Sequence, residues 1–277
     1  MKIADFPLPF IKMSGTGNDF ILIDHRKPVI HPEAMGEFAA LVCRRRFSVG
    51  ADGLILIEDS DTADFRWRFF NGDGSVAEMC GNGARCAARF AYMQGIAPAR
   101  MRFETIAGVI EASVADTLVS IRMTRPRDLR MNQEIEVDGE KMTVHFVDTG
   151  VPHAVVFVDD LEQCDVRRLG ATIRYHEAFA PAGTNANFVG RQEDGFKVRT
   201  YERGVEDETM ACGTGAVAGA LIAAQTGQAE SPVQIITSGG DMLTITFELT
   251  EDGADHVYLK GPAHLIYRGE LTAEALL

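Results

Sequence analysis

Residues 79–95 read MCGNGARCAARFAYMQG, and residues 211–227 read ACGTGAVAGALIAAQTG. The two stretches share one plan. In each, a cysteine (Cys80, Cys212) is followed by Gly-x-Gly-Ala, then by a run of small residues that closes on glycine fifteen positions after the cysteine (Gly95, Gly227). Alanine is the best helix former and glycine the common residue just past a helix end, so both stretches predict helices. A helix that is apolar on nearly every side has no face to offer water and is expected to be buried. Two such helices, 132 positions apart, predict two domains of similar fold facing each other, each wrapping strands around one central helix.

The rest of the chain reads mainly as short strands. Alternating or β-branched runs bounded by Gly, Asp, Asn or Pro lie at 20–24, 54–57, 65–70, 109–115, 117–123, 143–147, 154–158, 187–189, 197–200, 233–237, 242–249 and 257–260. Over 32–46, Met35, Phe38, Ala39, Val42 and Cys43 recur at helical spacing and Arg44, Arg45 and Arg46 close the run, predicting an amphipathic helix. A short helix is expected over 161–169, and 125–131 is the expected crossover between halves. The reading is therefore α+β. The domains are expected at 1–124, with the strand 264–277 returning to it, and at 125–263.

Composition narrows the function. The 277 residues are 46% hydrophobic, 24% charged and 8% aromatic, the balance of a globular protein. A net charge of −13 gives no general electrostatic attraction to nucleic acid or to anionic lipid, so neither is expected as a partner. No run reaches the roughly 18 apolar residues of a membrane span, and the N-terminus lacks a secretion h-region. Five cysteines, an odd number, then predict reduced thiols in a cytoplasmic protein.

Cys80 and Cys212 each precede a glycine-rich helix start, where free N–H groups and the helix dipole favour anions. A thiol there ionises more easily than the reference of about 8.5. The amides of Gly81–Asn82 and Gly213–Thr214 are placed to hold a carboxylate that glycine allows to approach closely. If the two helix starts face each other, a small anionic ligand lies between two thiols. One thiolate and one thiol on opposite sides of a carbon suit cofactor-independent racemisation or epimerisation next to a carboxylate. Cys43, Cys86 and Cys164 have no such setting and read as packing residues. The other familiar sites fit poorly. No C-x-x-C or histidine cluster supports a metal, no apolar strand precedes GTGAVA at 213–218 for a dinucleotide, and GTGNDF at 15–20 lacks the Gly-Lys-Ser/Thr ending of a phosphate loop.

The sequence resembles the diaminopimelate epimerase family, of the pyridoxal-phosphate-independent amino-acid racemases. The likeness runs through KMSGTGNDFILID, GADGLI, FNGDGS, MCGNGARC, TGVPHAVVFV, NANFV, YERGVEDET, ACGTGA and KGPAHLIYRGEL, essentially the whole chain. It implies two pseudo-symmetric domains with the active site in a cleft between them, a homodimer, and interconversion of LL- and meso-2,6-diaminopimelate for lysine and cell-wall precursors. Cys80 and Cys212 would then be the acid and base, with no cofactor and no metal. Asn18, Asn71 and Asn185 match substrate-binding asparagines, Glu202 and Arg203 a Glu-Arg pair, and His153 a histidine near the thiols. Arg203 can fork onto a distal carboxylate while Glu202 accepts an ammonium.

Three departures bear on the substrate. Val151 stands where the family often has Asn, Gly53 where some members carry Gln, and ERGVEDET is one residue longer than ERGAGET. The competing readings are a racemase of another amino acid and a non-catalytic amino-acid binder. The structural alternatives are turn roles for Asn18 and Asn71, a solvated Glu202–Arg203 pair and a packing role for His153.

Overall fold

The computed structural model describes residues 3–250 and 253–277. The chain divides into two compact units, one running through Ile121 and taking in Pro262–Leu277, the other spanning Arg122–Gly261.

The first unit contains β1 (Leu8–Gly15), β2 (Asn18–Asp24), α1 (Met35–Val42), β3 (Gly53–Glu58), β4 (Phe65–Asn71), α2 (Gly81–Met93), β5 (Arg100–Thr105), β6 (Gly108–Ala115) and β7 (Leu118–Arg122), with a C-terminal strand at His264–Leu271. The sheet order is C-terminal strand, β1, β2, β3, β4, β5, β6, β7. Neighbours are antiparallel except β2–β3 and β4–β5. A tight turn cannot join parallel neighbours, and these two pairs are where α1 and α2 intervene. The strand GLILIE of β3 is buried along its whole length, because side chains of period two face two helices. Leu54 and Leu56 join Phe38, Ala39 and Val42 of α1 in one core, while Ile55 meets Gly83 of α2.

The second unit repeats this plan strand for strand. It contains β8 (Arg127–Val137), β9 (Glu140–Asp148), β10 (Pro152–Phe157), α3 (Val166–Arg174), β11 (Asn185–Gln192), β12 (Gly195–Glu202), the short β13 (Asp207–Thr209), α4 (Gly213–Gln225), β14 (Val233–Thr237), β15 (Met242–Thr250) and β16 (Gly253–Pro262). The order is β8, β9, β10, β11, β12, β14, β15, β16. The parallel pairs β10–β11 and β12–β14 flank α3 and α4, and β13 lies antiparallel on β12. Ala186 and Phe188 of β11 pack in the core of α3 with Val166 and Ile173, and Asn187 between them faces α4. Strands β9 to β12, β14 and β15 all touch α4, whose residues from Gly215 to Ala224 are buried without a break. That is how an apolar helix with no polar face is accommodated.

The structure corrects three local expectations. The helix expected over 32–46 is a single 3-10 turn at Pro32–Ala34 followed by α1, which stops at Val42. The arginines lie beyond it, because Arg45 turns away to bind Asp19 and Asp52. The helix expected over 161–169 begins later. Asp165 caps α3, its carboxylate accepting the Arg168 N–H at 3.2 Å, whereas Leu161 belongs to a preceding turn. The expected crossover at 125–131 is largely β8, a strand broken by register shifts on β9. Among the described residues no helix is long and apolar enough to cross a membrane.

Candidate functional site

Both cysteines singled out by the repeat are helix N-caps with extended backbone. Cys80 (φ −147°, ψ 119°) accepts the Gly83 N–H at its sulfur at 3.5 Å, and Cys212 (φ −116°, ψ 110°) accepts that of Gly215 at 3.4 Å. Sulfur here stands where a serine or aspartate oxygen usually caps a helix. Negative charge on it is stabilised by the same free N–H groups and dipole. Thr214 Oγ1 lies 3.4 Å from the Cys212 sulfur. The other three thiols are of a different kind: burial pushes Cys43 and Cys86 up to about 12 and raises Cys164. They remain protonated at neutral pH, as packing residues should.

In the first unit the register brings the remaining candidates to one end of the sheet. Gly53 pairs with Phe20 on one side and Asn71 on the other, and Asn18 opens β2 two residues before Phe20. Asn18 Oδ1 accepts the Asn82 amide at 2.8 Å, and its own Nδ2 donates to Asp52 at 2.9 Å. Asp52 and Asp19 are both gripped by Arg45, and Asp19 also by the buried Lys12, which donates in addition to the Gly50 carbonyl. Asn71 is exposed, and its Nδ2 donates to Ser75 Oγ at 2.9 Å within the turn that leads toward α2. A Cβ at Gly53 would stand 2.7 Å from both the Phe69 ring and the Phe70 carbonyl, so this backbone has no space for a glutamine side chain.

The second unit assembles His153, Asn185, Glu202 and Arg203. His153 and Asn185 face each other across β10 and β11. The Asn185 amide is engaged at both ends, donating to the Pro152 carbonyl at 2.9 Å and accepting the backbone N–H of Arg203 at 2.8 Å. It thus ties the turn after β12 to the start of β10. The Arg203 guanidinium donates to the Ala182 carbonyl at 3.2 Å. Burial raises the Glu202 carboxyl above its usual range, and no cation among the described residues pairs with it. A cation placed beside that carboxyl would reverse the shift. His153 is fully buried and held neutral, pushed down to about 3 by desolvation.

Several contributors lie within the quoted motifs but were not singled out by the sequence. Thr149 Oγ1 donates to the Thr214 carbonyl at 3.1 Å, steadying the first turn of α4. Arg85 of α2 is fully buried, donating to Asn82 Oδ1 at 2.8 Å and to Thr16 Oγ1. Asn187, also fully buried, joins His153 to Thr200. Only Arg85 carried a signal, as the one bulky charge in the front half of a small-residue helix. Among the described residues no group of His, Cys, Asp and Glu could hold a metal ion.

The chain is similar from end to end to known proteins. The diaminopimelate epimerase family pattern matches residues 10–127 and 145–266. The diaminopimelate epimerase of Hydrogenobaculum sp. (strain Y04AAS1) is 48% identical over 276 residues, covering 95% of this chain and 98% of that protein. That of Aquifex aeolicus is 47% identical, covering 97% and 99%. That of Archaeoglobus fulgidus is 44% identical, covering 100% and 99%. Among solved structures, a Bacillus anthracis phenazine biosynthesis protein of the PhzF family shares the fold, with a TM-score of 0.73 at 16% identity over 96% of this chain and 99% of that one. A probable proline racemase from Agrobacterium radiobacter K84 does so at 0.69 and 15%, covering 96% and 93%. With likeness of this extent to both halves of the repeat and to the loops between, the chain belongs to the diaminopimelate epimerase family and is an isomerase.

Proposed function

We propose that this enzyme interconverts LL- and meso-2,6-diaminopimelate, for lysine and peptidoglycan precursors, by passing the α-proton between Cys80 and Cys212 without a cofactor. The observation that carries the reading is the equivalence of the two thiols. Each caps the central helix of its unit, and each sulfur accepts the N–H of the glycine three residues on. In one direction a thiolate takes the α-proton, and the electron pair left on carbon spreads into the carboxylate. The second thiol then delivers its proton to the opposite face and becomes the thiolate, so the reverse reaction starts with the roles exchanged. Backbone N–H groups of Gly81, Asn82, Gly213 and Thr214 bind the reacting carboxylate and stabilise the charge that grows on it.

The distal amino-acid end falls to Asn18, Asn71, Asn185, Glu202 and Arg203. Glu202 is suited to the ammonium because its carboxylate is partly buried without a cation, and the Arg203 guanidinium suits the carboxylate. His153, opposite Asn185 across β10 and β11, serves as an auxiliary group. We place the enzyme in the cytoplasm as a homodimer.

The test is turnover on LL-diaminopimelate against a panel of simple amino acids, with solvent deuterium followed into the α-position. Diaminopimelate should epimerise and take up deuterium. Inert diaminopimelate beside a racemised monocarboxylic amino acid would replace the substrate, and no exchange on any would remove the catalytic reading.

A further inference from the structure

We propose that Asn187 is a positioning residue that fixes His153 as the tautomer with hydrogen on Nε2, so that the ring serves substrate as a hydrogen-bond donor and leaves proton abstraction to the thiols. The catalytic half of this statement rests on the two-thiol reading above; the tautomer does not.

Donor and acceptor identities settle the assignment. The Ala154 carbonyl can only accept, so the Asn187 atom 2.8 Å from it is the NH2 nitrogen. Asn187 Oδ1 then faces Thr200, whose hydroxyl donates to it at 2.9 Å. The second hydrogen on Asn187 Nδ2 points at His153 Nδ1, 3.0 Å away. A nitrogen that receives a hydrogen bond carries no hydrogen, so in the neutral ring the hydrogen is on Nε2. That Nε2 is buried and has no partner among the described residues. A buried donor left unmatched is costly, and an anionic acceptor on the substrate would remove that cost.

The equivalent place in the first unit shows that packing does not call for this polarity. There Phe20 pairs with Gly53 as His153 pairs with Asn185, and Ile55 packs on Gly83 where Asn187 packs on Gly215. One copy of the fold fills the position with Phe20 and Ile55, both buried, and the other with a histidine and an asparagine. Asn187 also lies against the cysteine-capped helix. A Cβ on Gly215 would overlap Asn187 Oδ1, and the Gly215 N–H is the one that caps the Cys212 sulfur. The amide thereby links the ring to the helix start that holds the thiol.

The experiment is nitrogen-15 NMR of the enzyme labelled in its histidine rings, with the His153 signals assigned by their loss in His153→Gln. At pH 7 the wild type should give a pyridine-type Nδ1 and a pyrrole-type Nε2. The reverse pattern, or two protonated nitrogens, would overturn the proposal whatever the substrate proves to be. Asn187→Asp puts an acceptor opposite Nδ1 and should move hydrogen onto it, lowering kcat at least tenfold with a smaller change in KM. An unaltered spectrum in a folded Asn187→Asp would also overturn it. Should that variant not fold, the wild-type spectrum still decides. As a functional check, His153→Gln keeps a donor and should retain several times the kcat of His153→Leu. Equal activities would show that donation is not the role of the ring.

Discussion

Asn82 donates through Nδ2 to Asn18 Oδ1 at 2.8 Å, so the second residue of α2 sets the direction of the first side chain of β2. The order of donors leaves no freedom. The Arg85 guanidinium can only donate, which turns Asn82 Oδ1 toward it and Asn82 Nδ2 toward Asn18. Asn18 Nδ2 is then left for the acceptor-only carboxylate of Asp52. A buried cation at one end and a carboxylate held by Arg45 at the other thus fix two amides at the start of the cysteine-capped helix.

Arg85→Met would leave Asn82, Thr16 and the Gly81 carbonyl without a buried donor. Losing one partner of such a network should cost on the order of 3 kcal/mol. Urea unfolding of the purified variant measures it. A loss below about 1 kcal/mol would mean that the network relaxes around the gap.

The thiols should differ in reactivity as they differ in setting. At pH 7.5 iodoacetamide should alkylate Cys80 and Cys212 well before Cys43 and Cys86, which burial holds near 12. Mass spectrometry of the peptides reads the order. Cys80→Ala and Cys212→Ala should each lose at least about 100-fold in epimerisation, the lower range for removing an acid or base. Cys164→Ala should stay within twofold. Near-normal turnover in either of the first two would end the two-thiol mechanism.

How much of this was legible in the sequence follows from how local each feature is. The cysteine caps, the glycine pair behind them and the helices they start are encoded within a few residues, and the repeat marked them twice. Asp165 ends the ambiguity over α3 by a local cap, yet the apolar Leu161 upstream drew the expected helix five residues too early. The His153–Asn187–Thr200 link could not be read at all. Its members are 34 and 13 positions apart and meet only because β10 runs parallel to β11 while β12 runs antiparallel. The expected strand covered only 187–189, and in NANFV the resemblance singled out Asn185 alone. The second asparagine acquires meaning only from the face that it shares with α4.

Acid should weaken the fold before the carboxylates are protonated. Burial lowers both His153, to about 3, and His145, whose Nδ1 accepts the Asn132 N–H. Their folded values lie below the unfolded value near 6.5, so unfolded chains take up protons first as pH falls. Stability is full well above pH 6.5 and declines as pH falls through it, with His153 contributing a slope of up to about 1.4 kcal/mol per pH unit down to its folded value. Asp24, lowered by its hydrogen bond to Arg26, adds its loss only near and below pH 4. Urea midpoints at pH 7.5, 6.5 and 5.5 should fall slightly over the first interval and more steeply over the second, less so in His153→Gln. A flat response down to pH 5.5 would contradict neutral buried histidines.

The resemblance marks Gly53 and Val151 as departures, and the structure separates them. At Gly53 the Phe69 ring and the Phe70 carbonyl occupy the space that a side chain would need. Gly53→Gln should therefore overpack, costing about 1–3 kcal/mol and gaining no affinity. Val151 is only partly buried and immediately precedes the Pro152 carbonyl that Asn185 binds. An amide can be added there without displacing the core. One recovered hydrogen bond of about 0.5–1.5 kcal/mol should lower KM for diaminopimelate by two- to tenfold in Val151→Asn, with kcat little changed. Steady-state kinetics of the two variants beside their melting temperatures provides the check. An unchanged KM in a stable Val151→Asn would show that the distal end of the substrate is held entirely by other residues.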